Sequence, residues 1–109
     1  MSRDGKILGL LGFAFKSRNF VFGKEGIRAY IRSNQRNKIV LLSSDTGDST
    51  KEDTIKRCKS HEVIYYIFNS VTKSDISDIS GKSDISILGI TDENIAKGII
   101  DIVINGGEI

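Results

Sequence analysis

Apolar residues follow two different spacings along this chain, and the two spacings alternate. Residues 3–15 carry apolar side chains at every third or fourth position, which predicts a helix that Ser2 is placed to cap. Residues 38–43 hold an unbroken apolar run, which is typical of a strand covered on both faces. The alternation continues along the chain and predicts helices between short strands.

The predicted elements follow from these spacings and from residues that favour helix ends and turns. Four strands are predicted, at residues 20–22, 38–43, 63–68 and 85–90. Five helices are predicted, at residues 3–15 and 24–33, from Ser49 or Thr50 to Ser60, from Thr72 or Ser74 across Ile76 and Ile79, and from a Thr91 cap to Asn105, Gly106 and Gly107. Elements in this order predict an α/β/α sandwich over a mixed or parallel sheet.

Two local patterns make finer predictions. Thr50 with Asp53 resembles a capping box, with Asp in place of Glu, at the start of the third helix. Gly9 and Gly12 are poor helix formers, so we expect them to allow the close approach of a neighbouring backbone.

Length and composition are those of one globular domain that spans residues 1–109. The chain is 39% hydrophobic and 28% charged, and no apolar stretch approaches the roughly 20 residues of a membrane helix. Asp4 in the basic start, with Gly9 and Gly12 in the apolar run, is unlike a signal peptide. We therefore expect a cytoplasmic, monomeric protein without a membrane partner.

Positive charge is concentrated in the first part of the chain. Residues 1–40 carry nine Lys and Arg against two acids, whereas residues 41–109 carry seven against twelve. The net charge of +2 thus combines a segment of +7 with a segment of −5. Such asymmetry predicts a polyanionic partner for the basic segment, and a charge dipole without a partner is the alternative.

A row of cations marks the start of the predicted second helix. Lys24, Arg28 and Arg32 are four residues apart, so they share one helix face and each pair repels by about 0.2–0.5 kcal/mol. Gly23 lets the chain turn into the helix, whose first N–H groups form an anion site. The row predicts phosphate contacts, with Glu25 accepting from the amino group of guanine. A solvated basic face with Glu25 as a capping acid is the alternative.

Few residues of this chain are suited to catalysis. His61 is the only histidine and ends a predicted helix, so we do not expect a catalytic triad. Cys58 is the only cysteine, and one Cys with one His is too few ligands for a structural zinc site. We interpret Cys58 as a buried thiol, and a reactive thiol beside Lys56, Arg57 and Lys59 is the alternative. With no phosphate-binding loop motif either, we expect no enzyme, metal, cofactor or small-molecule substrate.

Asp45 is the acidic residue with the most suggestive position. It follows the central predicted strand, where the ligand sites of open α/β sheets lie. A phospho-acceptor or metal site there would use Asp45 together with Asp48. The interpretation that we favour is that both residues shape a tight turn and cap the next helix.

Three segments of the sequence resemble a known family. The first segment, LLGFAFKSRNFVFG, resembles an LLGLA-basic-basic-G-x-(I/V)-x-x-G opening. The second, KIVLLSSD, resembles a lysine-led apolar strand that ends in Asp. The third, ISDISGKSDISILGITDENIAKGI, resembles an LG-x-A-(I/C)-G segment before a D-E-x-x-A-K helix start. The ordered set covers nearly the whole chain. It is similar to the superfamily of ribosomal proteins that bind kink-turn RNA (the L7Ae and L30e type), and most of all to small bacterial ribosomal-protein-like members.

The resemblance implies a three-layer α/β/α sandwich around a four-stranded mixed sheet flanked by about five helices. It also implies that the start of the second helix, with a nearby loop, contacts a kinked RNA duplex with tandem sheared G·A pairs. The RNA-binding members carry an Asn-Glu-x-x-Lys pattern on that helix, and the matching residues here are Lys24, Glu25 and Arg28. Gly23 occupies a position where threonine is common.

The second contact loop departs from the family pattern. In the family it carries apolar residues that pack under a flipped-out nucleotide, whereas here residues 81–84 read Gly-Lys-Ser-Asp, polar and one residue longer. Lys82 is placed to contact phosphate there, and Asp84 would lie near the RNA.

We therefore predict a non-enzymatic protein that binds structured RNA, ribosomal or of another kink-turn type, through the N-terminal end of its second helix. A protein-interaction or signalling domain that uses Asp45 is one alternative, and an assembly module that has lost RNA binding is another. The predicted RNA-binding residues are Lys16, Arg18, Gly23, Lys24, Glu25, Arg28, Arg32 and Lys82.

Overall fold

The computed structural model describes residues 2–106, along which helices and strands alternate. The helices are α1 (Arg3–Lys16), α2 (Gly23–Arg32), α3 (Asp48–Ser60), α4 (Lys73–Ser80) and α5 (Glu93–Asn105). The strands are β1 (Phe20–Phe22), β2 (Ile39–Leu42), β3 (Ile64–Ile67) and β4 (Ile87–Ile90). Each predicted element is confirmed, with ends shifted by one or two residues, and the predicted stop signal at Gly107 lies outside the described residues.

The strands form one mixed sheet in the order β1-β4-β2-β3. β2 lies inside the sheet, parallel to β3 and antiparallel to β4, while β1 pairs antiparallel with β4 at the edge. All residues of β2 are buried, as expected of an unbroken apolar strand covered on both faces.

Alternate residues of β2 face opposite layers of helices. Ile39 and Leu41 belong to a core shared with α1, α4 and α5, whereas Val40 and Leu42 belong to a second core shared with α2 and α3. Successive side chains of a strand point to opposite faces, so one strand contributes to both cores. The two helical layers enclose the sheet, which confirms the three-layer α/β/α sandwich.

One tyrosine fastens α2 to the sheet. The Tyr30 hydroxyl donates to Ile90 O at 2.7 Å and accepts from Ile39 N at 3.0 Å, so it joins two strands. The ring lies over Gly89, where an added Cβ would stand only 2.6 Å from the nearest ring atom. Burial raises the pKa of Tyr30 to about 12, which keeps the hydroxyl protonated at neutral pH. These contacts fix the position of α2 and of the residues at its N-terminal end.

A buried carboxylate fastens the start of α1. Asp4 is 5% exposed and accepts hydrogen bonds from Tyr66 Oη at 2.6 Å and from Ser70 N at 2.8 Å. Burial alone would raise the pKa of this carboxyl, but the hydrogen bonds from Tyr66, Ser70 and Asn69 outweigh it and lower the pKa. The ionised Asp4 therefore joins α1 to the segment between β3 and α4.

Two of the helix caps that the sequence predicts are confirmed, and two are not. Ser2 caps α1, and Thr72 caps α4 in a reciprocal capping box with Asp75. The predicted Thr91 cap of α5 is wrong, because the carboxylate of Asp92 accepts from the first N–H groups of that helix. Asp92 is one position closer to these N–H groups and is an equally good capping residue.

The predicted capping box at α3 is also wrong. The helix begins at Asp48 after Gly47 and has no side-chain cap, so Thr50 lies inside its first turn. The Asp53 carboxylate accepts instead from Arg57 Nε at 3.0 Å, one turn further along the same helix.

The close helix contact involves a different glycine from the predicted ones. A Cβ added at Gly9 or Gly12 would meet nothing within 4 Å, so the expectation for these two residues is wrong. A Cβ added at Gly98 of α5 would stand 3.2 Å from Leu10 Cδ1. The close approach of α1 and α5 therefore depends on Gly98.

Candidate nucleic-acid interface

The N-terminal end of α2 has an open backbone. Gly23 holds φ at +81°, a left-handed conformation that favours glycine, and it turns the chain from β1 directly into the helix. Phe22 occupies the N-cap position and has no side-chain group to cap the helix. The first N–H groups of α2 therefore lack a side-chain acceptor, and they lie beside the exposed side chains of Lys24 and Glu25.

A groove of about 440 Å³ opens beside this end of α2. The rings of Phe20 and Phe22 stack with centroids 5.9 Å apart, and Phe15 packs edge-on against Phe20 at 4.8 Å. Phe22 is 40% exposed, so a flat ligand can reach its ring. We call this surface the aromatic groove, and it is lined by Phe15, Arg18, Phe20, Phe22, Gly81 and Lys82.

Two tight turns bring cations from distant parts of the chain to the aromatic groove. Arg18 lies between α1 and β1 with φ at +59°, and Gly81 ends α4 with φ at +74° just before Lys82. Left-handed backbone is uncommon at a residue other than glycine, so the position of Arg18 is held by its surroundings. An accessible aromatic ring between two cations is an arrangement that suits an unpaired nucleotide.

The structure divides the predicted RNA-binding residues into separate groups. Arg18 and Lys82 line the aromatic groove, and Gly23 directly follows its Phe22 wall. Lys16 is exposed at the C-terminal end of α1, outside the lining of that groove. Lys24 and Glu25 lie at the start of α2, and within residues 2–106 neither of them takes part in an ion pair.

Arg28 and Arg32 face a second groove, which lies between α2 and α3. It consists of two adjacent concavities that share Arg57 and His61. The one lined from both helices is small, about 20 Å³, and the larger one, about 250 Å³, is lined by residues of α3 and by His61. Arg28 and Arg32 come from α2, and the other charged groups come from α3. We call it the basic groove, and it is lined by Arg28, Arg32, Asp53, Lys56, Arg57 and His61.

Asp53 is the counter-ion of the basic groove. Its Oδ2 lies 3.0 Å from Arg57 Nε and 3.6 Å from Arg28 Nη2. The hydrogen bond from Arg57 is the main cause of a lowered pKa of Asp53, and the charges of both arginines add to it against the opposing effect of burial. Arg28 Nε is buried and has no hydrogen-bond partner within the part of the chain that the structure describes. One carboxylate thus holds two guanidinium groups and leaves most of their donors unused.

Asp45 has a structural role at a turn. Its Oδ1 accepts from Lys73 N at 2.9 Å, and this hydrogen bond lowers the pKa of Asp45. Asp45 lies in the turn after β2, which confirms that part of the interpretation. The expectation that Asp45 and Asp48 cap the next helix is wrong, because α3 has no side-chain cap and Asp48 lies in its first turn. Residues 2–106 contain no group of three or more His, Cys, Asp or Glu that could hold a metal ion.

The single cysteine and the single histidine both lie on α3 or at its end. Cys58 is fully buried, and burial raises the pKa of its thiol to about 11. A reactive cysteine needs a lowered pKa and some exposure, so the interpretation of Cys58 as a buried thiol is confirmed. His61 follows the last turn, as predicted, with Nδ1 3.1 Å from Arg57 O.

The sequence analysis missed the aromatic residues and the α3 side of the basic groove. Phe20 and Phe22 were interpreted only as strand residues, although their alternation with the cations before them is typical of single-strand binding surfaces. Lys56 and Arg57 lie in the acidic segment of the chain, so the charge count gave no reason to join them to Arg28. Their proximity depends on the packing of α2 against α3.

No helix within residues 2–106 combines the length and the apolar character needed to cross a membrane.

Comparison with known proteins extends the sequence resemblance. Residues 5–99 match the Ribosomal protein L7Ae/L30e/S12e/Gadd45 family. RNA-binding protein YlxQ of Bacillus subtilis (strain 168) is 29% identical over 94 residues, which make up 86% of this chain and 91% of that protein. RNA-binding protein YlxQ of Enterococcus faecium is 29% identical over 92 residues, or 84% of this chain and 85% of that protein.

A solved structure agrees with these matches at the level of the fold. A Bacillus halodurans protein, described as having unknown function, superposes with a TM-score of 0.78. The superposition covers 90% of this chain and 96% of that one at 24% identity, which shows a common fold. Because the family match spans nearly all of the chain, this protein belongs to the ribosomal protein L7Ae/L30e/S12e/Gadd45 family, as the order and spacing of its sequence segments predict.

Proposed function

We propose that this protein binds structured RNA without catalysing a reaction. Membership of the family and the names of the two relatives, both RNA-binding proteins, support RNA as the ligand. We propose further that it recognises kink-turn or sheared G·A-containing RNA, ribosomal or other, through the N-terminal end of α2.

The observation that carries the finer proposal is the convergence at the aromatic groove. Arg18 and Lys82, from turns that are far apart in the sequence, meet beside Phe22, and the uncapped start of α2 follows directly. Cations there would hold phosphates, as would the open N–H groups and the positive end of the helix. Such a surface suits a bent RNA backbone that exposes a base at the bend.

Each group at this end of α2 has a proposed role. Lys16, Arg18, Lys24 and Lys82 contact phosphates. Glu25 accepts from the amino group of a guanine in a sheared G·A pair, because its carboxylate is exposed and has no ion-pair partner among residues 2–106. Gly23 has no side chain, so the RNA can approach the backbone closely at the start of the helix.

Phe22 provides the stacking surface for a flipped-out nucleotide, because the loop at residues 81–84 has no apolar side chain for that contact. Family members pack apolar loop residues under a flipped-out nucleotide, and this loop offers Gly81, Lys82, Ser83 and Asp84 instead. The exposed ring of Phe22, on the opposite wall of the aromatic groove, is the stacking surface for that base.

Arg28 and Arg32 also contact phosphate in this proposal, but from a different surface. Replacing Arg28 would weaken binding to all RNAs alike, because a phosphate contact does not depend on the base sequence. We propose that residues 1–109 act as one cytoplasmic, monomeric RNA-binding domain that needs no cofactor.

The test is a titration with a fluorescent kink-turn RNA and with a copy whose G·A pairs are replaced by Watson–Crick pairs, at two salt concentrations. The proposal expects a clear preference for the kinked RNA. Equal, salt-dependent binding of both would leave general RNA binding and refute kink-turn recognition. Absence of binding to either would refute RNA binding itself.

Two variants test the assigned roles in the same titration. Phe22→Ala should weaken binding of the kinked RNA by about 1–3 kcal/mol, the usual range for one base stacked on an aromatic ring. Phe13→Ala is the matched control, because Phe13 is 64% exposed and lies outside the lining of both grooves. Glu25→Ala should chiefly reduce the preference for G·A pairs, and unchanged selectivity would show that Glu25 does not contact the base.

A further inference from the structure

Positive charge exceeds negative charge in the lining of the basic groove. Arg28, Arg32, Lys56 and Arg57 face it with permanent charges, and Asp53 is the one carboxylate in its lining. Cations from two helices are therefore kept near one another although they repel. Repulsion of this kind in a groove with walls of protein favours the entry of an anion.

Favourable interactions with the helix dipoles explain the positions of only some of these basic residues. A basic residue in the last turn of a helix is favourable to the negative end of the dipole, and Arg32 and Arg57 occupy such positions on α2 and α3. Arg28 and Lys56 lie before those last turns, and yet they line the same groove.

The two paired arginines are held in position with donors to spare. Asp53 Oδ2 contacts Arg57 Nε and Arg28 Nη2, whereas each guanidinium carries five N–H groups. The fork geometry of a guanidinium fits the oxygens of a phosphate. Asp53 keeps the two guanidinium groups close together, so one phosphate could accept from both.

We propose that the basic groove is a second phosphate-binding site, which holds the backbone of the RNA beyond the aromatic groove. The row of Lys24, Arg28 and Arg32 runs from the start of α2, just after Phe22 of the aromatic groove, to the basic groove, with one cation for about every 6 Å of helix axis. A continuous row of cations is complementary to a continuous polyanion, and this favours an RNA strand over a single acidic group on a protein. The inference rests on the proposed function, because the RNA must first occupy the start of α2.

The experiment combines two RNAs with the wild type and three variants. A short kink-turn RNA ends its duplex near the kink, and a long one extends the arm that would run along α2. The test variant is Arg32→Ala with Lys56→Ala, since within residues 2–106 neither side chain takes part in an ion pair. The control variant, Arg36→Ala with Lys97→Ala, removes the same charge from exposed positions outside both grooves.

The wild type and the control should bind the long RNA more tightly than the short one, and the test variant should lose that gain. Two lost phosphate contacts lower the log–log salt slope by about 1.4–1.8 on the long RNA. Raising salt fourfold should therefore cost the wild type about tenfold more affinity for the long RNA than it costs the test variant. Arg32→Lys with Lys56→Arg should retain the gain, which separates lost charge from a folding defect.

Three results would overturn the second site. An equal gain in the wild type and the test variant refutes it and leaves the proposed function intact. Equal loss in test and control variants shows a general charge effect, which also refutes it. A wild type that binds neither RNA refutes both the proposed function and the inference that rests on it.

Discussion

At residue 89, a hydrogen atom in place of a side chain lets α2 lie close to the sheet. The Tyr30 ring occupies the space that a Cβ at Gly89 would need. We expect Gly89→Ala to lower the free energy of unfolding by about 1–3 kcal/mol, the usual cost of overpacking a core. Urea unfolding followed by circular dichroism measures it, and a variant as stable as wild type would show that Tyr30 moves without cost.

Gly9 provides the opposite case within a helix. A Cβ there would meet nothing within 4 Å, and the residue is exposed on α1. We expect Gly9→Ala to raise the free energy of unfolding by up to about 1 kcal/mol, because alanine is the better helix former. The same urea titration serves, and a loss of stability would mean that Gly9 has a contact which the fold does not reveal.

Asp4 makes stability depend on pH. Its folded-state pKa lies below the ordinary 3.8, so its contribution is fully present above about pH 4 and is lost as pH falls through the folded-state value. We expect Asp4→Asn to cost about 1–3 kcal/mol at pH 7, because the donors of Tyr66 and Ser70 lose a charged acceptor. Urea unfolding at pH 7 and pH 3 should show the difference from wild type shrinking in acid. A difference that is constant across this range would contradict the assignment.

At the scale of the element, α4 depends on its capping box. Thr72 Oγ1 accepts from Asp75 N at 3.2 Å, and the Asp75 carboxylate accepts from Thr72 N at 2.9 Å. We expect Thr72→Ala to cost about 1 kcal/mol of unfolding free energy. Ser74→Ala, at an exposed position inside the same helix, is the control and should be close to neutral. An equal effect of the two variants would exclude a specific role for the cap.

The helices and strands could be predicted because nearby residues determine them. The wrong predictions concern contacts that depend on helix geometry or on residues from another element. The apolar run of β2 is sufficient to bury it on both faces. Thr91 and Asp92 are adjacent and both good caps, so one position of helix geometry decides between them. Asp53 forms ion pairs with Arg57 of its own helix and with Arg28 of α2. A sequence pattern within α3 could not reveal the contact with Arg28.

The candidate interface was predictable only in part for the same reason. The open start of α2 follows from Gly23 and the cations beside it, which are local features of the sequence. Arg18 precedes β1 and Lys82 precedes β4, and because these strands are antiparallel their pairing alone does not bring the two turns together. The shared groove depends on the packing of α1 against α4, which sequence patterns do not reveal. The family resemblance supplied that arrangement in outline. The stacking surface of Phe22 came from the structure.

At the scale of the whole molecule, the two helical layers differ in character. The layer of α2 and α3 carries the basic groove, and the start of α2 adjoins the aromatic groove. The layer of α1, α4 and α5 encloses the larger apolar core and exposes Phe13 and Ile104. The aromatic groove is lined from both sides of the molecule, by Phe15 of α1 and by Phe22 at the start of α2, whereas no described residue of α5 lines either groove.

The distance of α5 from both grooves predicts the pattern of amide hydrogen exchange when RNA binds. The first N–H groups of α2 lack a side-chain acceptor, so they should exchange fast in the free protein and slow down at least tenfold in the complex. The amides of residues 81–84 should slow with them. Amides on the outer face of α5 should keep their rates, because that helix lies across the sheet from α2. Exchange mass spectrometry of the free and RNA-bound protein measures both sides in one experiment. Protection confined to α5 would place the RNA on that helix and contradict the proposal that one RNA contacts both grooves.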